Sequence, residues 1–340
     1  MAVRKETSRT SLLWTLLKIA LAVVLAAFVL SKTDVGELLA LRGRILPGWL
    51  ALAFLLYILL TLLKSLQYYI LIGRSVSYPQ VLHVVIVQNA VSNFIATSAG
   101  IASYLTLFRM EHDVKLSRSA LAFVLAKVGD LISIWLLLFL SAYAVWDRIA
   151  RLHLAVVIIL ASIGTALLGF FLLVVFRQRF AAVLRRALGW LRLDRIEIIS
   201  RGLDTVQGMA AQNQTFVFRS IFTALLFSLP YMAVTMAWVY ASQRTFSLGI
   251  GVMPTMFANT LLQLISYLPI QVFGGLGLTE TSMFYFYSFF LPHQAELAAA
   301  LIGIRLLFYL ENLLVLIYLP LQSLLSRRPA GRSGGGEATP

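Results

Sequence analysis

The chain has 340 residues, of which 60% are hydrophobic, and its mean hydropathy of +0.88 lies beyond that of a soluble domain, which is about half apolar. It carries 28 Lys and Arg against 14 Asp and Glu, a formal net charge of +14. Without cysteine it can form no disulfide and no thiolate metal site, and its histidines (His83, His112, His153, His293) make no metal-ligand spacing. The composition is that of a polytopic membrane protein, and its positive charge is first explained by inner loops facing anionic lipid. No soluble basic domain is visible, so nucleic acid is not expected as a partner.

The first apolar run, 11–31, follows Arg4, Lys5 and Arg9. It exceeds the apolar core of about 7–15 residues typical of a signal peptide and reads as an uncleaved transmembrane helix with a cytoplasmic N-terminus. The loop 32–46 sets Lys32, Arg42 and Arg44 against Asp34 and Glu37, and a second helix, 48–72, returns to the cytoplasm at Arg74. The stretch 81–108 is apolar but contains Gln88, Asn89, Ser92, Asn93 and then Thr97-Ser98-Ala99-Gly100. A charged loop, 109–118, leads to helices at 119–146 and 152–176. The most basic segment follows at 177–217, with Arg177, Arg179, Arg185, Arg186, Arg192, Arg195 and Arg201. Its apolar positions Phe180, Val183, Leu184, Leu188 and Leu191 recur at helical spacing, as in an amphipathic helix on the inner leaflet.

Counting crossings from that basic segment places 73–80 and 109–118 on the same, cytoplasmic side. The stretch 81–108 therefore crosses an even number of times, yet it is too short for two spans of about 20 residues each. A re-entrant hairpin turning near Thr97–Gly100 satisfies both conditions.

The second half mirrors the first. A helix at 218–241 runs outward, and the last, 295–325, runs inward to a basic tail with Arg327, Arg328 and Arg332. Between them, 251–292 begins and ends outside and contains Gln271-Val-Phe-Gly-Gly-Leu-Gly-Leu-Thr-Glu280, preceded by Pro269. Gly274, Gly275 and Gly277 permit backbone that other residues resist, and such backbone is tolerated at membrane depth where protein buries it or it lines a cavity. The segment reads as the turn of a second hairpin entering from the opposite face; close helix packing at the glycines is the other reading. A shift of 178 residues lays Ala120–Lys127 over Ala298–Arg305. Shared topology, glycine position and buried cation point to inverted repeats, about 11–146 and 152–325, within one membrane domain spanning 1–325. Inverted repeats with broken helices place a site at their interface. A disordered cytoplasmic tail is expected over 326–340.

Ionisable side chains at membrane depth are costly and usually functional. Lys127 and Asp130 stand inside the helix at 119–146, where a local i,i+3 ion pair is the alternative. Arg305 lies in the last helix; Glu311, six positions on, faces away from it. Its partner is therefore Glu280, Asp130 or a ligand phosphate, whose geometry suits a guanidinium fork. Thr97, Ser98 and Thr279 are placed to cap the second arm of each hairpin, where free N–H groups attract anions. Asn89 and Asn93 share a helix face and either line the path or bond between helices. No nucleophile constellation or phosphate loop occurs, and Glu111 and Asp113 read as a solvated loop.

At these residues the chain resembles the lysylphosphatidylglycerol synthase transmembrane-region family. Gly274-Gly-Leu-Gly-Leu-Thr-Glu280 is similar to that family's Gly-Gly-Leu-Gly-hydrophobic-Arg-Glu signature, with Thr279 where arginine is frequent. Asn89 to Asn93, Thr97 to Gly100, Leu107, Arg109 and the Lys127–Asp130 segment resemble its polar loop and acid-bearing helix, with Ala96 and Ala99 where proline is common and Lys127-Val-Gly-Asp130 in place of a Glu-Arg-x-x-Asp-like run. Arg305 matches an arginine in its last helix, and the resemblance covers about 11–325. The aminoacyl-transferase domain of the full-length synthases is not in this sequence, so the resemblance implies lipid translocation rather than aminoacylation.

The expected protein is all-α and multi-pass, in a bacterial inner membrane, with cytoplasmic termini, about six full transmembrane helices and two re-entrant hairpins. It is expected to move an anionic phospholipid or lipid-linked headgroup between leaflets without a cofactor. The candidate substrate-binding residues are Lys127, Asp130, Arg305, Glu280, Gly274, Gly275, Gly277, Thr279, Asn89, Asn93, Thr97, Ser98 and Gly100. The alternatives are an integral-membrane enzyme of phospholipid or polyprenyl-phosphate metabolism, or the membrane partner of a separate lipid synthase. Homo-oligomerisation stays open.

Overall fold

A computed structural model describes residues 36, 43–73, 76–190, 214–267, 275, 277–291 and 294–321, with backbone alone at 173, 177–190, 214–217 and 294. The helix expected at 11–31, Pro269, Gly274, most of the basic segment and the tail at 326–340 lie outside the described residues or their side chains. Nine α-helices are described and no strand is found among the described residues: α1 (Pro47–Leu71), α2 (Tyr78–Phe94), α3 (Thr97–Met110), α4 (Leu116–Ala144), α5 (His153–Trp190), α6 (Gln214–Thr245), α7 (Val252–Ser266), α8 (Leu278–Tyr287) and α9 (Gln294–Leu316). Among the described residues, five helical segments are long and apolar enough to cross a membrane: Pro47–Leu71, Leu116–Ala144, Trp146–Phe176, Phe218–Thr245 and Ala295–Leu321. The chain is therefore an all-helical, multi-pass membrane protein.

Local chemistry explains the ends. Pro47 opens α1 at a position whose N–H has no helical partner. Ser77 precedes α2, and its N–H donates to Gln80 Oε1 at 3.0 Å, a capping-box bond. Two residues, Ile95 and Ala96, separate α2 from α3, so the two helices fold back on each other. The break thus precedes the expected Thr97–Gly100 turn. Gly100 is instead a packing residue: a Cβ there would stand 1.8 Å from Ser92 Oγ and 2.8 Å from the Gln88 carbonyl oxygen. Only glycine lets α3 come that close to α2.

The stretch between α6 and α9 likewise holds two short helices, α7 of 15 residues and α8 of 10. Gly275 and Gly277 both have φ near +80°, so the loop's glycines serve backbone conformation. Apolar clusters hold these helices to their neighbours. The one around α2 and α3 includes Tyr68, Val81, Val85, Tyr104 and Phe108. The one around α8 and α9 includes Phe246, Phe284, Tyr287, Leu297 and Leu301. Gln243 of α6 donates to the Tyr287 hydroxyl and accepts from Thr255 Oγ1 at 2.8 Å, tying α7 and α8 to the bundle. By contrast α5 exposes Leu154, Val157, Ile158, Leu168 and Phe171, as a helix facing lipid does.

Candidate functional site

The centre of the bundle holds a cavity of about 320 Å³, bordered by α1, α2, α4, α6, α7, α8 and α9. Six predicted residues line it: Asn93, Lys127, Asp130, Thr279, Glu280 and Arg305. Both predicted cation–acid groups therefore open onto one space, though they lie far apart in sequence.

Asp130 is the best-connected acid. Its Oδ2 accepts from Lys64 Nζ at 2.6 Å, and its Oδ1 accepts from Ser228 Oγ at 2.8 Å. Gln67 Nε2 donates to Ser228 Oγ at 2.8 Å and to the Ala224 carbonyl at 3.1 Å. Helices α1, α4 and α6 are joined through this network. Gly129 makes the approach possible, because a Cβ there would meet Ser228 Oγ at 2.8 Å and the Ala224 carbonyl carbon at 2.9 Å. Lys127 is only loosely attached, with Nζ 3.9 Å from Asp130 Oδ2 and a side chain 39% exposed to the cavity side. The local i,i+3 pair is thus the lesser of Asp130's two charge contacts; Lys64 is the greater. A carboxylate buried this deeply is tolerable when paired and hydrogen-bonded, and Asp130 is both.

Sequence reading passed over Lys64. Its signal was present: it is the single ionisable group apart from tyrosines in α1, a largely apolar helix of 25 residues.

The second group is built on α8 and α9. Glu280 Oε2 accepts from the Gly277 N–H at 2.6 Å, which holds the carboxylate at the start of α8. Arg305 Nε lies 3.1 Å from Glu280 Oε1, with the N–H off the line to the oxygen, so the contact is an ion pair rather than an aligned hydrogen bond. The guanidinium also stands 4.8 Å from the Tyr309 ring centre and 5.3 Å from that of Phe308. Glu280 is one of the partners expected for Arg305.

Glu311 is engaged by an indole of α6. Both of its oxygens accept from Trp238 Nε1, at 3.0 and 3.1 Å, and so fix an indole that borders the cavity. Asn93 Nδ2 donates to Asn312 Oδ1 at 2.7 Å, tying α2 to α9 beside the cavity. Here interhelical bonding and cavity lining occur together.

Other candidates are not brought in. Asn89, Thr97, Ser98, Gly100, Gly275 and Gly277 do not line the cavity, and Gly274 is outside the described residues. The expected caps also differ. The N-cap of α3 is Ala96, which offers no side-chain oxygen, so Thr97 and Ser98 lie inside the helix. At α8 the N-cap is Gly277, and Glu280 rather than Thr279 supplies the capping oxygen.

In chemical terms the cavity presents three cations, Lys64, Lys127 and Arg305, to two carboxylates, within helices that span a membrane. An excess of cations in a low-dielectric space attracts anions. Comparison with curated proteins gave no match, and neither did comparison with solved structures. The description of the matching family model is lysylphosphatidylglycerol synthase transmembrane region, and with residues 15–315 matched the chain belongs to that family.

Proposed function

We propose that the protein moves an anionic phospholipid or lipid-linked headgroup between the leaflets of a bacterial inner membrane. The observation that carries this reading is the cavity with its surplus cation, Lys127, loosely paired and partly exposed among membrane-spanning helices. Lys127 and Arg305 take the phosphate, while Asp130 and Glu280 hold the cations when the cavity is empty. Lys64 keeps Asp130 occupied, so that Lys127 is available to the ligand.

In this reading α2–α3 and α7–α8 are re-entrant hairpins of two inverted repeats, with both chain termini cytoplasmic. Helix lengths support the hairpins. The longest of these four helices, α2, has 17 residues and reaches about 25 Å, short of a hydrocarbon core of about 30 Å. Such a joint leaves the headgroup path within protein and the acyl chains in the bilayer.

The test is a leaflet-accessibility assay in liposomes, comparing fluorescent anionic and zwitterionic phospholipids. Protein-dependent movement of the anionic lipid is expected, with loss in Arg305→Ala at preserved insertion. An integral-membrane enzyme using Glu280 as a base would instead show no movement and would lose all turnover in Glu280→Gln.

A further inference from the structure

Among the described residues three acids are buried: Asp130, Glu280 and Glu311. Two of them meet a cation, Asp130 with Lys64 at 2.6 Å and Glu280 with Arg305 at 3.1 Å. The third, Glu311 in the membrane-spanning α9, is the most enclosed, at 0% exposure against 2% and 7%. No ion pair among the described residues includes it. Its two oxygens share one donor, Trp238 Nε1, at 3.0 and 3.1 Å.

The groups packed around Glu311 bring no free cation. On α1, Tyr57 lies 5.7 Å from the Trp238 ring, and Lys64, two turns further on, is held by Asp130. On α6, Tyr231 stands two turns before Trp238 with its face to Lys64, and Arg244, six positions after Trp238, lies over Trp49. Helix α2 brings the neutral Asn93, bonded to Asn312. Helix α8 brings Glu280, which pairs with Arg305, six positions back on α9 itself. Tyr309 lies against that same guanidinium. One neutral hydrogen bond does not offset a full charge in a low-dielectric interior, and a carboxylate so placed is neutralised by taking up a proton. The indole does not account for the acid, because any neutral acceptor would satisfy its N–H.

Trp238 borders the cavity, whereas Glu311 does not. The indole therefore touches both. Because Glu311 is fully enclosed, its proton exchanges with water only when the packing at that wall opens.

Resting on the transport reading, we propose that Glu311 is a proton-binding site that couples lipid movement to protons. The carboxyl holds a proton while Trp238 is bound to it. When the wall opens, the proton passes to water and leaves a carboxylate; closing takes a proton up again. Through the shared indole, the proton and the occupant of the cavity affect each other's binding reciprocally.

Two measurements test this. Infrared spectra of the detergent-solubilised protein at neutral pH read the site by itself. A protonated-carboxyl C=O band is expected in the wild type and is lost in Glu311→Gln, which keeps an acceptor for the indole. In Glu311→Asp the band shifts, and that variant carries the assignment if Glu311→Gln does not fold. The second measurement imposes a pH difference across proteoliposomes and follows fluorescent phosphatidylglycerol in the two leaflets, against protein-free liposomes. The wild type is expected to hold an excess of label in one leaflet that disappears when the gradient is collapsed, and Glu311→Gln to lose that excess. The carboxyl band without movement of any lipid supports the proton site and sinks the transport reading. A band identical in the wild type and a folded Glu311→Gln, or lipid movement with no excess under the gradient, overturns the proposal.

Discussion

Lys64 and Asp130 stand sixty-six positions apart and meet at 2.6 Å inside the bundle, tying α1 to α4. Each is nearly buried, so each depends on the other for charge compensation. Lys64→Met is expected to cost about 3–5 kcal/mol, the usual penalty for leaving one buried charge without its partner. Lys64→Met with Asp130→Asn removes both charges, keeps an acceptor for Ser228, and is expected to recover most of that loss. Unfolding in detergent, followed by tryptophan fluorescence, reads the difference. Equal instability of the single and double variants would show that the two charges are not coupled.

A second relationship sets the position of Glu280. Gly277 has φ +80° and ψ −52°, a conformation rare for any residue with a side chain. Its N–H holds the Glu280 carboxylate that meets Arg305. Gly277→Ala is expected to destabilise the protein by about 1–2 kcal/mol through backbone strain. Asparagine should not rescue it, because ψ is wrong for the left-handed helical region that asparagine tolerates. Thermal unfolding of Gly277→Ala and Gly277→Asn at wild-type levels would remove the strain argument.

Much of this architecture was legible in the residues. The apolar runs at 48–72 and 119–146 became Pro47–Leu71 and Leu116–Ala144, because length and hydropathy suffice where lipid is the solvent. Arg305 needed a distant acid because its nearest one, Glu311, lies round the helix from it, and Glu280 fills that role. What stayed hidden is tertiary. Nothing local says that Asp130 prefers Lys64, on another helix, to Lys127 three residues away; that choice follows from how α1 packs on α4, while Gly129 lets α6 bring Ser228 to the same carboxylate. Gly100 misled for the same reason. A glycine beside polar residues looks like a turn, whereas here it is the contact point of two helices, and the chain reverses at Ile95 and Ala96 instead.

The glycines also supply an internally controlled experiment. Alanine is favoured over glycine in a helix by about 1 kcal/mol. Gly169, in α5, has nothing within 4 Å of the place an added methyl would take, so Gly169→Ala is expected to be neutral or stabilising by up to that amount. At Gly129 the same methyl would meet backbone of Ala224 at 2.9 Å, and backbone cannot swing aside as a side-chain tip can. Gly129→Ala is therefore expected to destabilise by about 1–3 kcal/mol, the range for overpacking, and to weaken the Ser228–Asp130 bond. Parallel unfolding curves test this: similar effects of the two substitutions would mean that α4 and α6 do not pack this tightly.

Lys127 and Arg305 both face the cavity, yet their surroundings separate stability from headgroup handling. Lys127 is partly exposed and 3.9 Å from Asp130, which keeps Lys64 when Lys127 is lost. Lys127→Met is expected to change stability by less than about 0.5 kcal/mol, as for a weak i,i+3 pair. Movement of anionic lipid should nevertheless fall about tenfold or more, since a hydrogen bond to a charged group is worth about 1.5–3 kcal/mol. Arg305 is more deeply buried and is the charge partner of Glu280. Arg305→Met is expected to lose lipid movement together with about 3 kcal/mol or more of stability, as the buried carboxylate is left without its cation. Measuring unfolding and lipid movement on the same two preparations gives the comparison. If Lys127→Met moves anionic lipid at the wild-type rate, the phosphate is not received at Lys127; if it unfolds as readily as Arg305→Met, Lys127 is part of the bundle's support instead.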